Sequence, residues 1–230
     1  MNGLFDTIGA LLPGLGTSLL LTAGSLVIGV PLGVISGQLL TSKHRIVRWP
    51  IITLVEIFRG FPALVTLYLV YFGLPVIDIV LTSTVSVFIA FGVTSGAYTS
   101  EIFRAAIRGV PKGQREAAAA LALRPRQTFF LIVLPYAVRV AWAPLLGIAI
   151  ITFQGTALAF AIGTKDLLGT GYSRGLADSD LLANLMAVGL LYLLVTSLLS
   201  YIEVLGIRRG KKALGRRTAA LPVIDAVRMT

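Results

Sequence analysis

"GQREAAAALALRPRQTFFLIVLPYA", Gly113 to Ala137, changes character twice in a short distance. It opens as an Ala-rich segment carrying Arg115 and Glu116, halts at Arg124 and Pro125, and resumes as a run apolar enough to enter lipid. The proline ring pushes the residue before it out of helical geometry, whereas proline itself suits the first turn of a new helix. The pattern therefore predicts a short helix over residues 113 to 123, followed by a second element. The run Ala117, Ala118, Ala119, Ala120 gives that helix high propensity and a thin profile that another protein can approach closely. An ordinary amphipathic loop helix resting on headgroups is the alternative. The rest of the chain decides between them.

With 56% hydrophobic residues, 13% charged residues and a mean hydropathy of +0.89, a chain of 230 residues carries more apolar surface than one soluble core can hide. Lipid must be part of its solvent. The chain has no cysteine and a single histidine, His44, which excludes disulfides, thiolate metal sites and the usual zinc clusters. A net charge of +10 raises nucleic acid as a partner, but no basic, aromatic-interleaved soluble domain accompanies it, and no nucleic-acid role is expected. The start, "MNGLFDTIGALLPGLG", has Asp6 and no Lys or Arg ahead of its apolar run, unlike a cleaved leader. It is expected to be retained.

About 20 apolar residues cross a bilayer as a helix. Candidates lie at 14–40, 53–75, 79–103, 129–162 and 181–206, which predicts an all-α membrane protein with five transmembrane helices. Lys43, Arg45 and Arg48 fill the first connection. Arg104, Arg108, Lys112, Arg115, Arg124 and Arg126 fill the third, and seven more basic residues follow Gly206. The other two connections hold only Lys165 and Arg174. Basic loops stay in the cytoplasm, so the N-terminus is expected outside and the C-terminus inside. Residues 1–206 then form the membrane domain, with a cytoplasmic loop at 104–128, and 207–230 form a loose basic tail.

Two spans carry interruptions. "EIFRGFP" places Glu56 and Arg59 three apart on a helix, just before Gly60 and Pro62. The fourth holds Pro135, Arg139, Pro144 and Gly155, and is expected as two helical pieces. Broken helices persist at membrane depth where protein or a watery cavity satisfies the backbone. Thr94, Ser95 and Tyr98 on the third span and Thr152, Gln154 and Thr156 on the fourth form two polar patches suited to a route for a zwitterion. The plain alternative is hydroxyls bonding back along their own helices. Glu56 with Arg59 and Glu101 with Arg104 are candidate structural or gating ion pairs, because an unpaired charge in lipid is costly.

"EAAAALALRPRQTFFLIVLP" resembles the cytoplasmic loop of the membrane subunits of ATP-binding cassette importers, in which EAA is followed by a glycine and later by Ile-x-Leu-Pro. "EIFRGFPALVTLYLVYFGLP" and "SGAYTSEIFRAAIRGVPKGQREAAAALAL" are similar to the polar amino-acid uptake permeases, and the likeness runs from Leu15 to Gly206. It implies the type I importer transmembrane fold in a bacterial cytoplasmic (inner) membrane. It also implies a coupling helix at Arg115, Glu116, Ala117, Ala118 and Ala122 that docks on a separate ABC ATPase carrying ATP and Mg. The further partners implied are a second permease subunit, in a homo- or heterodimer, an extracytoplasmic amino-acid-binding protein and an amino-acid substrate. The chain has no G-x-x-x-x-G-K-[ST], so the nucleotide site belongs on another chain. No cofactor or metal is expected on this one.

The chain departs from the family pattern at two places. The motif's glycine is Ala122, where a positive φ would be strained. "QGTAL", Gln154 to Leu158, replaces Lys-Asp-Thr-Ser-Leu and loses its charged pair. A membrane enzyme lacks residues to do its chemistry here, having no HExxH and no Ser/His/Asp set. An ion-driven secondary carrier or channel is the alternative function, but such proteins usually show intramembrane acids or inverted repeats.

Overall fold

The computed structural model describes residues 2–219, with side chains over 6–207. Every regular element among them is helical. In order these are α1 (Asn2–Leu39), α2 (Arg45–Gly60), α3 (Ala63–Tyr68) prolonged by a π turn (Leu69–Gly73) and a 3-10 turn (Leu74–Ile77), and α4 (Ser83–Arg108). There follow α5 (Lys112–Ala120), α6 (Pro125–Thr128) with a π turn (Phe129–Val133), α7 (Leu134–Gly155) prolonged by a 3-10 segment (Thr156–Ile162), α8 (Leu167–Ala177) and α9 (Leu181–Ala219).

The most extensive contact joins α1 to α4, and small residues make it possible. Gly29, Gly33 and Gly37 form a strip at four-residue spacing that meets Gly92 with Ser95, Gly96 with Thr99, and Ser100 with Phe103. A Cβ on Gly33 would stand 2.4 Å from Thr99 and 3.0 Å from the Gly96 carbonyl oxygen. Only glycine permits this approach, the geometry by which apolar helices associate when no hydrophobic force drives them together. Numbers rise together along both helices, so α1 and α4 run parallel. α7 runs antiparallel to α4, with Phe91 near Gly155 at one end and Ala106 and Ile107 clustered with Val133 and Ala137 at the other. α9 is antiparallel to α7, stacking Tyr192 on Phe153 at 5.0 Å and Gly206 on Trp142.

By length and composition, three helical segments among the described residues can cross a membrane: Asp6–Leu39, Pro125–Ile162 and Leu181–Ile207. The pair Arg45–Gly60 and Ala63–Ile77 adds a fourth if counted as one, and it bends by 104°. The interruption expected in the second span, 53–75, is found where the sequence placed it, as two helices meeting at Gly60, Phe61 and Pro62. Phe61, just before the proline, is extended at φ −78°, ψ 135°, as the clash with the proline ring requires. The fourth span meets expectation at Gly155 and differs from it at Pro144. α7 passes Pro144 without a break, and its irregularities fall at the π turn before Leu134 and at Gly155. The connection expected as a plain loop after Gly163 contains α8, whose N-terminus is capped by Asp166. Of the expected tail, α9 carries the backbone to Ala219, and residues 220–230 lie outside the described residues.

Candidate functional site

A cavity of about 450 Å³ opens where the α2–α3 break faces α4 and α7. Gly60, Phe61 and Pro62 line it from the break, Thr94, Ser95 and Tyr98 from α4, and Ile148, Ile151, Thr152 and Gly155 from α7. Four of the six residues expected to form a polar route therefore converge: Thr94, Ser95, Tyr98 and Thr152. Gln154 and Thr156 do not join them. Gln154 is exposed in a separate, open groove between α7 and α9, beside Thr196, Ser197 and Ser200. Thr156 is buried and donates to the Phe153 carbonyl at 2.7 Å, on the side facing α8 and α9. An α-helix turns 100° per residue, so alternate positions such as Thr152, Gln154 and Thr156 cannot all face one space.

The break has its own partners. Tyr98 donates its hydroxyl to the Arg59 carbonyl at 3.3 Å, and the Arg59 guanidinium lies 5.6 Å from the centre of the Tyr98 ring. Glu56 sits 3.6 Å from Arg59, the pair expected from sequence. Thr94, Ser95 and Thr152 donate their hydroxyl protons back to Ala90, Gly92 and Ile148, at 2.9, 3.2 and 2.8 Å. The hydroxyl oxygens then keep free lone pairs. The cavity thus offers one fixed cation, Arg59, and several acceptor oxygens, a division of charge that suits a molecule with one carboxylate and one ammonium.

Next to the cavity, on the side away from α5, lies an apolar cluster: Leu21 of α1, Leu67 of α3, Val87, Ala90 and Phe91 of α4, and Ala159 and Ile162 of the 3-10 segment. Phe91 belongs to both the cavity wall and this cluster. The other end of the bundle carries Glu101 and Arg104, which form a close ion pair on α4, and then the short helix α5. Arg115 donates to the Ile107 carbonyl, fastening α5 to the end of α4. Ala118, expected on the docking surface, faces inward and is 1% exposed, whereas Glu116, Ala117, Ala119 and Ala120 are open to solvent.

The end of α5 explains the sequence's odd alanine. Leu123 donates to the Ala118 carbonyl at 3.1 Å and Ala122 to Ala119 at 2.9 Å. This is the paired closure in which the residue past the helix end is left-handed and usually glycine. Here it is Ala122, at φ 50°, which costs about 1 kcal/mol relative to glycine. Arg124 is extended and Pro125 opens the next helix, as the sequence implied.

Two features escaped the sequence reading. The Gly29, Gly33, Gly37 strip was legible as small residues at four-residue spacing. The second is a buried polar junction around Asp166, which is fully buried and accepts from the Gly169 and Leu168 amides at 2.9 and 3.3 Å. Ser18 of α1 accepts from the Leu167 amide at 3.0 Å, and the Tyr192 hydroxyl of α9 lies in the same group without a hydrogen-bond partner at normal distance. Asp166 sits in the connection between two spans, and burial pushes its carboxyl up to about 6. Its signal was a lone Asp ahead of "LLG", a helix-capping pattern.

Comparison with known proteins places this architecture. The chain is 34% identical over 185 residues to the probable amino-acid ABC transporter permease protein YckA of Bacillus subtilis (strain 168), covering 80% of this chain and 82% of that one. It is 30% identical over 203 residues to the glutamine transport system permease protein GlnP of Escherichia coli (strain K12), covering 87% and 93%. Its structure matches a crystal structure of an amino acid ABC transporter with histidines at a TM-score of 0.80 and 25% identity, over 90% of this chain and 97% of the other. The inward-facing MetNI methionine ABC transporter shares the fold, at a TM-score of 0.68 and 21% identity, over 87% and 96%. A family model for the inner membrane component of binding-protein-dependent transport systems matches residues 29–209. The chain belongs to that family.

Proposed function

We propose that this chain is the permease subunit of an ATP-driven importer of polar amino acids, and that the cavity at the α2–α3 break is a station on the substrate's path. The observation that carries this reading is the convergence of Arg59, Thr94, Ser95, Tyr98 and Thr152 at a broken span, in a chain of this transport family. A carboxylate pairs with Arg59, and hydroxyl and carbonyl oxygens take up the ammonium. Relatives named for glutamine, arginine, glutamate and cystine transport support an amino acid as the cargo.

The parallel run of α1 and α4, with α7 reversed and α9 reversed again, supports five crossings in which the bent α2–α3 pair supplies the second. Lys43, Arg45 and Arg48, the basic residues about α5, and those at the end of α9 then share the cytoplasmic side of a bacterial inner membrane. An ATPase on a separate chain docks on the exposed face of α5, at Glu116, Ala117 and Ala120, and supplies ATP hydrolysis with Mg. Arg115, Ala118 and Ala122 hold that helix in place. A second permease subunit completes the path, and an extracytoplasmic binding protein delivers the substrate.

The test is uptake of labelled amino acids into proteoliposomes holding this chain with its ATPase and binding protein. ATP-dependent uptake, lost on Arg59→Gln with assembly intact, is the expected result. Uptake without the ATPase overturns the reading in favour of an ion-driven carrier. For docking, Ala117→Trp and Glu116→Lys should each reduce co-purification of the ATPase, and wild-type recovery of both variants would refute docking by this face.

A further inference from the structure

We infer that the 3-10 segment Thr156–Ile162 is the outer gate of the cavity, and that Asp166 is its latch, a positioning residue whose burial sets how readily the gate opens. The inference rests on the orientation and cavity role proposed above.

The gate is defined by what blocks the cavity and by what can move. Ala159 and Ile162 complete the apolar cluster next to the cavity on the side away from α5, with Leu21, Leu67, Val87 and Phe91 as their partners. In the orientation proposed above, a substrate arriving from outside meets this cluster as a seal. Among the described elements that contribute to it, the 3-10 segment is the one with a glycine directly at each end. Gly155 has open space around its Cβ position, with the Phe91 ring 3.9 Å away as its nearest neighbour, and Gly163 adopts φ 77°, which glycine tolerates best. A 3-10 helix holds its hydrogen bonds in poorer geometry than an α-helix. The seal's movable part is therefore a weak helix between two hinges.

Three residues beyond Gly163 the chain is fastened. Asp166 caps α8, Leu167 is bound to Ser18 of α1, and α8 lies so close to α1 that a Cβ on Gly14 would meet Thr170 at 2.5 Å. Asp166 is the one polar anchor in this contact that carries a charge. From α9 the titratable Tyr192 faces it, while α1 and the 3-10 segment present only the hydroxyls of Ser18 and Thr156. Lys165 is exposed, and Arg174 is paired with Asp178 at 3.1 Å. Among the described residues, no cation compensates the buried carboxylate.

The sign follows from linkage. In the shut state desolvation raises the carboxyl to about 6 from an ordinary 3.8. An open gate that wets the junction returns it toward the ordinary value. The shut state therefore binds a proton more tightly than the open one. Acid pH holds the gate shut, and the open-to-shut ratio rises between pH 3.8 and about 6, where it levels off after a gain of up to about a hundredfold. Asn at this position mimics the protonated acid and keeps an oxygen for the cap.

The chain has no cysteine, so single-cysteine labelling is clean. In whole cells making the full chain, Ala159→Cys is treated with an impermeant maleimide at external pH 5 and pH 8, and its labelling is divided by that of Ser179→Cys, which corrects for thiol ionisation. The ratio should rise at least several-fold from pH 5 to pH 8 with Asp166 present, and stay low and flat with Asp166→Asn. Tyr192→Phe, which removes a donor beside the carboxyl, should move the midpoint to higher pH and serves if Asp166→Asn does not insert. A flat ratio with Asp166 present, or equal slopes with and without it, overturns the latch. No labelling of Ser179→Cys from outside overturns the orientation and the gate with it, whereas a normal Ser179→Cys signal with a flat ratio rejects the Asp166 latch and leaves the orientation standing.

Discussion

The two faces of α4 solve opposite problems with similar residues. Toward α1 it presents Gly92, Gly96, Thr99 and Ser100, small groups in a contact too close for a side chain on Gly29 or Gly33. Toward α2, α3 and α7 it presents Thr94 and Tyr98, whose polar atoms meet a cavity and a broken helix. Hydroxyls and small residues are common to both faces, so composition alone does not tell packing from pathway. Geometry does. A small residue makes a seam when its neighbour lies on another helix within van der Waals contact, and it lines a path when its neighbour is a freed backbone group or empty space.

The largest expected effect breaks the packing face. Gly33→Leu forces a side chain into the place where even a Cβ would stand 2.4 Å from Thr99, and rigid helix backbone on the far side leaves little room to yield. Overpacking of this kind costs about 3 kcal/mol. The purified variant should lose its monodisperse peak in detergent or melt several degrees lower than the parent. Unchanged melting would mean that α1 and α4 slide apart easily, and that the seam contributes little.

How far the sequence alone carries the same distinction depends on the range of the interaction. The helical character, the Glu56–Arg59 and Glu101–Arg104 pairs, the extended Arg124 and the strained Ala122 were all legible, because each depends on neighbours within a few residues. The convergence of Arg59 on Tyr98 was not, since it joins residues 39 apart in the chain. Gln154 misled for a related reason: a polar residue beside Thr152 in sequence points elsewhere on a helix, toward α9. Pro144 misled because a proline removes one hydrogen bond but breaks a helix only where something else takes up the freed groups. At Gly60 to Pro62 Tyr98 does so, by donating to the Arg59 carbonyl. Ala118 was placed on the docking surface by the resemblance, yet a helix this short has an inner face, and only contacts with α4 and the π turn show which it is.

A smaller effect tests the pathway face. Tyr98→Phe keeps the ring under Arg59 but removes the hydroxyl that satisfies the Arg59 carbonyl at the break. A hydrogen bond of this kind is worth about 1 kcal/mol, which corresponds to roughly a fivefold fall in uptake if the break must keep its shape for the substrate to pass. Melting should shift little, because Tyr98 is partly exposed and packs on no seam. A large melting loss without loss of uptake would move Tyr98 to the packing face and undo the contrast.

The smallest effect belongs to the residue that sits on both faces. Ser95 lines the cavity, is 4% exposed, and gives its proton to Gly92 at 3.2 Å, while its oxygen lies where a Cβ on Gly29 would fall. Ser95→Ala removes one oxygen, keeps the backbone approach and leaves no donor stranded, because the Gly92 carbonyl remains in the helical bonding pattern. Its stability cost should be within about 0.5 kcal/mol. Uptake separates the two roles. If the Ser95 lone pair faces the substrate, the Michaelis constant should rise by a few-fold while the maximal rate holds, since an acceptor used in binding has gone. If Ser95 serves only the seam, both constants should match the parent. The contrast between the faces predicts the first outcome, and an unchanged Michaelis constant would draw the boundary between packing and pathway one residue further round α4, leaving Thr94 and Tyr98 as its polar edge.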